Sequence, residues 1–83
     1  MRFEHRVCQA QASRVTYVNG RWHGGVEPAR AAAEQALASC PFEWEYLATA
    51  GEDGWELVAV VASGTGADNA RVLYLRRALP AGA

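Results

Sequence analysis

The run Trp55-Glu-Leu-Val-Ala-Val-Val-Ala62 constrains the chain more than any other segment. Read with the two-residue period of a strand, Trp55, Leu57, Ala59 and Val61 share one face, and Val58, Val60 and Ala62 share the other. Both faces are apolar, and a strand of that kind needs cover on both. Eighty-three residues make one domain, with a core that hides only about 60% of the surface of the unfolded chain. Its own helices can cover one face. The second needs either a hairpin over residues 14–23 or another subunit, and a homo-oligomer, most simply a twofold dimer, is the leading expectation.

The rest of the chain supplies the other parts of a small sheet. Residues 2–9 alternate, with Phe3, His5 and Val7 on one side and Arg2, Glu4, Arg6 and Cys8 on the other, which reads as a strand with one buried face. Residues 10–13 read as a connection. Asn19-Gly20 then sits between the β-prone runs Arg14–Val18 and Arg21–His23, the strongest short-range hairpin signal, because both residues accept positive φ. Gly24-Gly25 closes the hairpin. Pro28 opens a helix in which Ala29, Ala32, Ala33, Ala36 and Leu37 form one apolar stripe as far as Ser39. Pro41 begins a second helix over 42–50, with Phe42, Tyr46 and Ala50 in one row and Gly51 placed to end it in the left-handed conformation. Ser63–Ala70 is a Gly/Asp/Asn loop, and Arg71–Arg77 is the closing strand. The expected architecture is α+β: a small antiparallel sheet of three to four strands, one hairpin, and one or two helices on one face. Residues 1–78 form the single domain and 79–83 a flexible tail.

The stretch Gly51-Glu-Asp-Gly54-Trp55-Glu56-Leu57-Val58 resembles the G-x-x-G-W-E-L-V signature of a family of small bacterial proteins known as domain of unknown function 4177. Phe3–Val7 and Val72–Arg77 resemble the opening and closing strands of that family. The resemblance implies a compact α+β unit and carries no catalytic residues to transfer. The motif also has a structural reading of its own: a helix stop at Gly51, a tight turn at Gly54, Trp55 closing the bottom of the core, and an outward Glu56 able to hold a neighbouring backbone or an Arg.

Composition narrows the function classes. Hydrophobic residues make up 51% of the chain, enough for a folded domain. The net charge of −1 excludes the uniform basic footprint of a non-specific nucleic-acid binder. No apolar run approaches the length of a membrane-spanning helix. The opening MRFEHRVCQ is too polar for a signal peptide, and Cys8 and Cys40 are too few for a disulfide framework, so the expectation is a cytoplasmic protein with two buried thiols. All eight basic residues are Arg, with no Lys and no Ile in the chain; codon usage in a GC-rich genome is the simplest source. Every positive charge is nevertheless a planar guanidinium able to grip an anion with two bonds.

Catalytic and metal constellations are weak. His5, Cys8, His23 and Cys40 show no metal-ligand spacing, and His5 and Cys8 face apart on one strand. Glu43/Glu45 and Glu52/Asp53 lie at a helix start and in a turn, where solvated charge is the ordinary reading. Gly64-Thr65-Gly66 lacks the Lys and the following helix of a phosphate loop. The expectation is no catalytic residue, no metal, no cofactor and no enzyme activity. If Phe3 and Val7 join Leu73 and Leu75 beneath the helices, then Glu4, Arg6, Cys8, Tyr74 and Arg76 lie opposite, with Trp22 and His23 reaching over from the hairpin. Arg6, Trp22, His23, Tyr74 and Arg76 then form a candidate site for an anionic, nucleotide-like ligand. The same residues suit a plain protein interface. Three readings follow. The first is a non-catalytic homo-oligomer that holds a small anionic ligand and could sequester a nucleotide signal. The second is a protein–protein assembly module with no small ligand. The third is a small enzyme using Cys40 or His23.

Overall fold

The computed structural model describes residues 1–62 and 70–80. Its architecture is α+β. Five strands, β1 (Phe3–Gln11), β2 (Arg14–Val18), β3 (Arg21–Trp22), β4 (Glu56–Ala62) and β5 (Arg71–Ala78), form one antiparallel sheet in the order β3-β2-β1-β5-β4. That is one strand more than the upper end of the sequence expectation. Between β3 and β4 the chain makes a 3-10 turn (Pro28–Arg30) and two helices, α1 (Ala33–Ala38) and α2 (Glu43–Glu52). The expected loop over 63–70, including Gly64-Thr65-Gly66, falls outside the described residues except for Ala70, as do the last three residues of the expected tail. Leu79 N–H donates to the Arg2 carbonyl at 2.8 Å, one residue beyond the end of β5.

β1 is the central strand, and its register settles which residues face the helices. Arg6 lies opposite Leu75, Cys8 opposite Leu73, and Glu4 opposite Arg77. Cross-strand partners share a face, so Glu4, Arg6, Cys8 and Ala10 point toward α2 together with Leu73 and Leu75. Phe3, His5 and Val7 point away, beside Tyr74 and Arg76. This inverts the parity expected from the alternation of residues 2–9. The reason is volume: Tyr46 and Ala50 of α2 press on this part of the sheet, and Cys8 and Ala10 leave room for them. The core consists of Cys8, Ala10, Val15, Tyr46, Ala50, Trp55, Leu73 and Leu75, with Val18 and Leu47 packed at its margin.

Both tight turns of the meander use left-handed backbone. Asn19 (φ 50°) and Gly20 (φ 81°) make the expected hairpin, and Asn19 Oδ1 also accepts the Val7 N–H at 2.8 Å, tying the turn to β1. Ala12 (φ 51°) and Ser13 (φ 63°) turn the chain from β1 into β2 without a glycine.

Two helix expectations need correction. The Ala-rich helix expected from Pro28 to Ser39 is broken. Ala31 is extended (φ −151°, ψ 166°), and only six residues form α1, of which Ala36 alone is buried. A stripe of methyl groups offers too little burial to repay helix nucleation over the whole segment. Arg14 Nη1 caps the end of α1 by donating to the carbonyls of Cys40 (2.7 Å) and Ala38 (3.3 Å), while its guanidinium lies 3.9 Å over the Phe42 ring. In α2, Gly51 is an interior residue and Gly54 (φ 89°) makes the left-handed stop. Gly54 N–H bonds the Gly51 carbonyl and Trp55 N–H bonds the Ala50 carbonyl, each at 3.0 Å, the paired bonds of a Schellman ending. Trp55 and Ala50, the hydrophobic contact that accompanies such an ending, are both in the core.

β4 lies at one edge of the sheet, and all seven of its residues are exposed. A bulge between Leu57 and Ala59 breaks its register with β5. The 14–23 hairpin occupies the opposite edge, three strands away, so it does not cover β4.

Candidate functional site

One cleft opens where α2, β1 and the end of the hairpin meet, with a volume of about 370 Å³. Arg6 contributes from β1. Its Nη1 donates to the Tyr46 hydroxyl at 2.8 Å, and its guanidinium lies 4.1 Å over the Trp55 ring. Trp55 receives a second guanidinium, that of Arg77, at 4.6 Å. Arg77 is anchored by Glu4 Oε2, at 3.0 Å from Nη2 and 3.2 Å from Nε, and by the Asp53 carbonyl at 3.1 Å. The two arginines therefore differ. Arg77 is paired with a carboxylate, whereas Arg6 has none within 4 Å among the described residues.

His23 follows β3, and its ring meets Tyr46 edge-on, with 5.2 Å between centroids. Burial lowers its pKa and the Arg6 charge lowers it further, so the imidazole is neutral at pH 7. The Tyr46 hydroxyl is held between Arg6 and the Cys8 thiol, and burial is the largest cause that pushes it up to about 12. Glu45, Thr49 and Asp53 also line the cleft. Glu45 and Thr49, four residues apart, share one side of α2, and Asp53 follows at its C-cap. Glu45 Oε1 also accepts the Phe42 N–H at 3.0 Å, closing the first turn of the helix.

The five residues singled out from the sequence do not form one site. Arg6 and His23 share this cleft. Trp22 lies elsewhere: its ring meets Tyr17 edge-on at 5.4 Å, its Nε1 donates to the Val26 carbonyl at 2.9 Å, and it borders a second cavity of about 300 Å³ beside α1. Tyr74 and Arg76 lie on the far face of the sheet, where Arg76 pairs with Glu56 and covers the Phe3 ring at 4.4 Å. The inverted parity of β1 separates them. Tyr46 and the Glu45-Thr49-Asp53 set were missed, although the i, i+4, i+8 spacing of that set is visible in the sequence.

Both cysteines are free and buried. Cys8 is fully enclosed in the core, and Cys40 Sγ donates to the Ala36 carbonyl at 3.7 Å. Burial raises both thiols above their ordinary value, which keeps them protonated and poorly nucleophilic at neutral pH. Among the described residues no three His, Cys, Asp or Glu side chains gather as metal ligands, and no helix is long and apolar enough to cross a membrane. No family model, no curated protein and no solved structure matches the chain.

Proposed function

We propose that the chain is a non-catalytic assembly module that pairs with a second copy of itself through β4. One observation carries the reading: a seven-residue edge strand whose side chains are exposed on both faces, with Leu57 at 43%, Val58 at 56%, Val60 at 46% and Val61 at 50%. Edge strands of monomeric proteins are ordinarily guarded by charge, proline or a β-bulge, and the one bulge of β4 lies near its start, leaving Ala59–Ala62 in regular register. β4 has no proline, and its one charged residue, Glu56, sits at its first position. The hairpin that could have served as cover belongs to the other edge. A second β4 suits the vacancy because it is itself apolar on both faces. An antiparallel twofold arrangement also places the two Glu56 residues at opposite ends of the ladder, whereas a parallel one would set them side by side. On this reading the G-x-x-G-W-E-L-V stretch is a helix stop followed by the first half of the pairing strand. Cys8 and Cys40 remain reduced, as befits the cytoplasmic location expected from the sequence.

Size-exclusion chromatography with light scattering tests the proposal. The unaltered chain is expected at twice its monomer mass, and Val61→Lys, on the face away from α2, at monomer mass with an unchanged circular dichroism spectrum. Val58→Glu is the second variant should the first fail to fold. A monomeric parent, or a folded variant that keeps the dimer mass, refutes the pairing.

A second reading is favoured by Arg6. A half-buried guanidinium, in contact with Trp55 and Tyr46 and lacking a carboxylate partner among the described residues, supports a small ligand with an anionic group in the cleft.

A further inference from the structure

We infer that the Arg6 cleft takes a small zwitterion, a molecule of the amino-acid class with one carboxylate and one ammonium group, in preference to a phosphate ester. The inference rests on the ligand reading of the cleft and gives it a chemical class. Charge in the lining decides the class. Arg6 comes from β1. Glu45 comes from α2 and Asp53 from its C-cap, and with His23 neutral the lining is net negative. A nucleotide phosphate carrying two charges would gain Arg6 and face both carboxylates, an unfavourable exchange.

The opposite charges border one cleft without touching. Among the described residues, neither the Arg6 guanidinium nor the carboxylates of Glu45 and Asp53 take part in an ion pair within 4 Å. A ligand bearing both signs meets both at once. Its carboxylate takes the Arg6 nitrogens that Tyr46 does not use, since the Tyr46 hydroxyl occupies Nη1 alone. Its ammonium group takes the Asp53 carboxylate at the end of α2, where Thr49, one turn earlier, adds a hydroxyl acceptor; Glu45, two turns from Asp53, contributes charge to the cleft and no contact. Trp55 fixes the plane of the guanidinium from below, so little order has to be gained on binding. The volume of about 370 Å³ lies in the range of small-molecule clefts.

The test is a set of ¹H–¹⁵N spectra of the intact chain with the common L-amino acids, each at about 10 mM, a range that detects even weak complexes. The best binder is then compared with its N-acetyl derivative, its amide and adenosine monophosphate. Expected are shifts confined to Arg6, His23, Tyr46 and Thr49, and at least about a tenfold weakening when either ligand charge is removed. Asp53→Asn, at an exposed position, should weaken the amino acid and leave its amine-blocked derivative unaffected. Tighter binding of the N-acetyl derivative or of adenosine monophosphate in the same cleft overturns the zwitterion while sparing the ligand reading. No shift of any cleft resonance with any of these compounds overturns both.

Discussion

Tyr46 joins the core to the cleft, and replacing it with Phe should change how stability depends on pH. In the folded chain its hydroxyl accepts from Arg6 and contacts the Cys8 thiol, and its pKa stands at about 12 against an ordinary 10.0. A folded-state pKa above the unfolded value means that the folded chain holds its proton more tightly. The resulting stability is complete below about pH 10 and is lost as pH rises toward about 12. A difference of that size corresponds to about 2–3 kcal/mol. The side chain is only 7% exposed, so solvent screening removes little of it. Tyr46→Phe keeps the ring and its packing but removes the titrating group. At neutral pH the variant should lose about 1 kcal/mol, because Arg6 must turn to water for its lost acceptor. Urea unfolding followed by circular dichroism, from about pH 8 to about pH 12, measures both proteins on one scale. The stability gap between them should narrow and then close or reverse across the alkaline window. Groups that do not touch Tyr46 cancel in the difference, and the Cys8 thiol, which contacts the hydroxyl, is removed from the comparison by making both measurements in a Cys8→Ala background. Two curves that stay parallel to the top of the range would refute the placement of the Tyr46 hydroxyl.

Two further variants, one double and one single, follow from backbone and packing. Ala12→Asn with Ser13→Gly relieves left-handed backbone at two residues poorly suited to it, and should add about 1 kcal/mol. That gain raises the melting temperature by about 4–8 °C in calorimetry, and an unchanged or lower value contradicts the turn. Gly24→Ala puts a methyl group 2.9 Å from Cys40 Sγ, 3.0 Å from Trp22 Nε1 and against Ser39 Oγ, and should cost about 1–3 kcal/mol. Gly25→Ala, with open space around its new Cβ, is the matched control in the same thermal melts, and equal losses from the two would contradict the packing at Gly24.

Local chemistry made some elements legible in the sequence. Asn19-Gly20 specifies its own turn, Pro41 and the Phe42-Tyr46-Ala50 row specify α2, and Glu56 does meet an arginine. What the sequence concealed depends on volume and on tertiary contact. Periodicity ranks residues 2–9 by polarity and so favours Phe3 and Val7 as the inner set. The space beneath Tyr46 instead selects Cys8 and Ala10, with Arg6 admitted because its planar group can lie flat on Trp55. Gly51 and Gly54 are both plausible helix stops, and the choice between them is made by Trp55, three residues past the helix, packing near Ala50. The candidate site suffered from the same inversion. Arg6 and His23 do share a cleft, but on the face opposite to Tyr74 and Arg76, and with Tyr46 as the group between them.

The two borders of the sheet are unequal, and that inequality sets how far self-pairing can extend. β3 is two residues long, and Gly24, one residue beyond His23, lies close against Ser39, Cys40 and Trp22. It offers too short a ladder to recruit another strand. β4 offers seven residues. When two copies join through β4 they consume both long borders, and the ten-stranded sheet that results is bounded at each end by a β3. On the proposed pairing, growth would terminate at the pair, and an apolar strand that in a sheet with two long borders would seed a fibre would be confined to a closed complex.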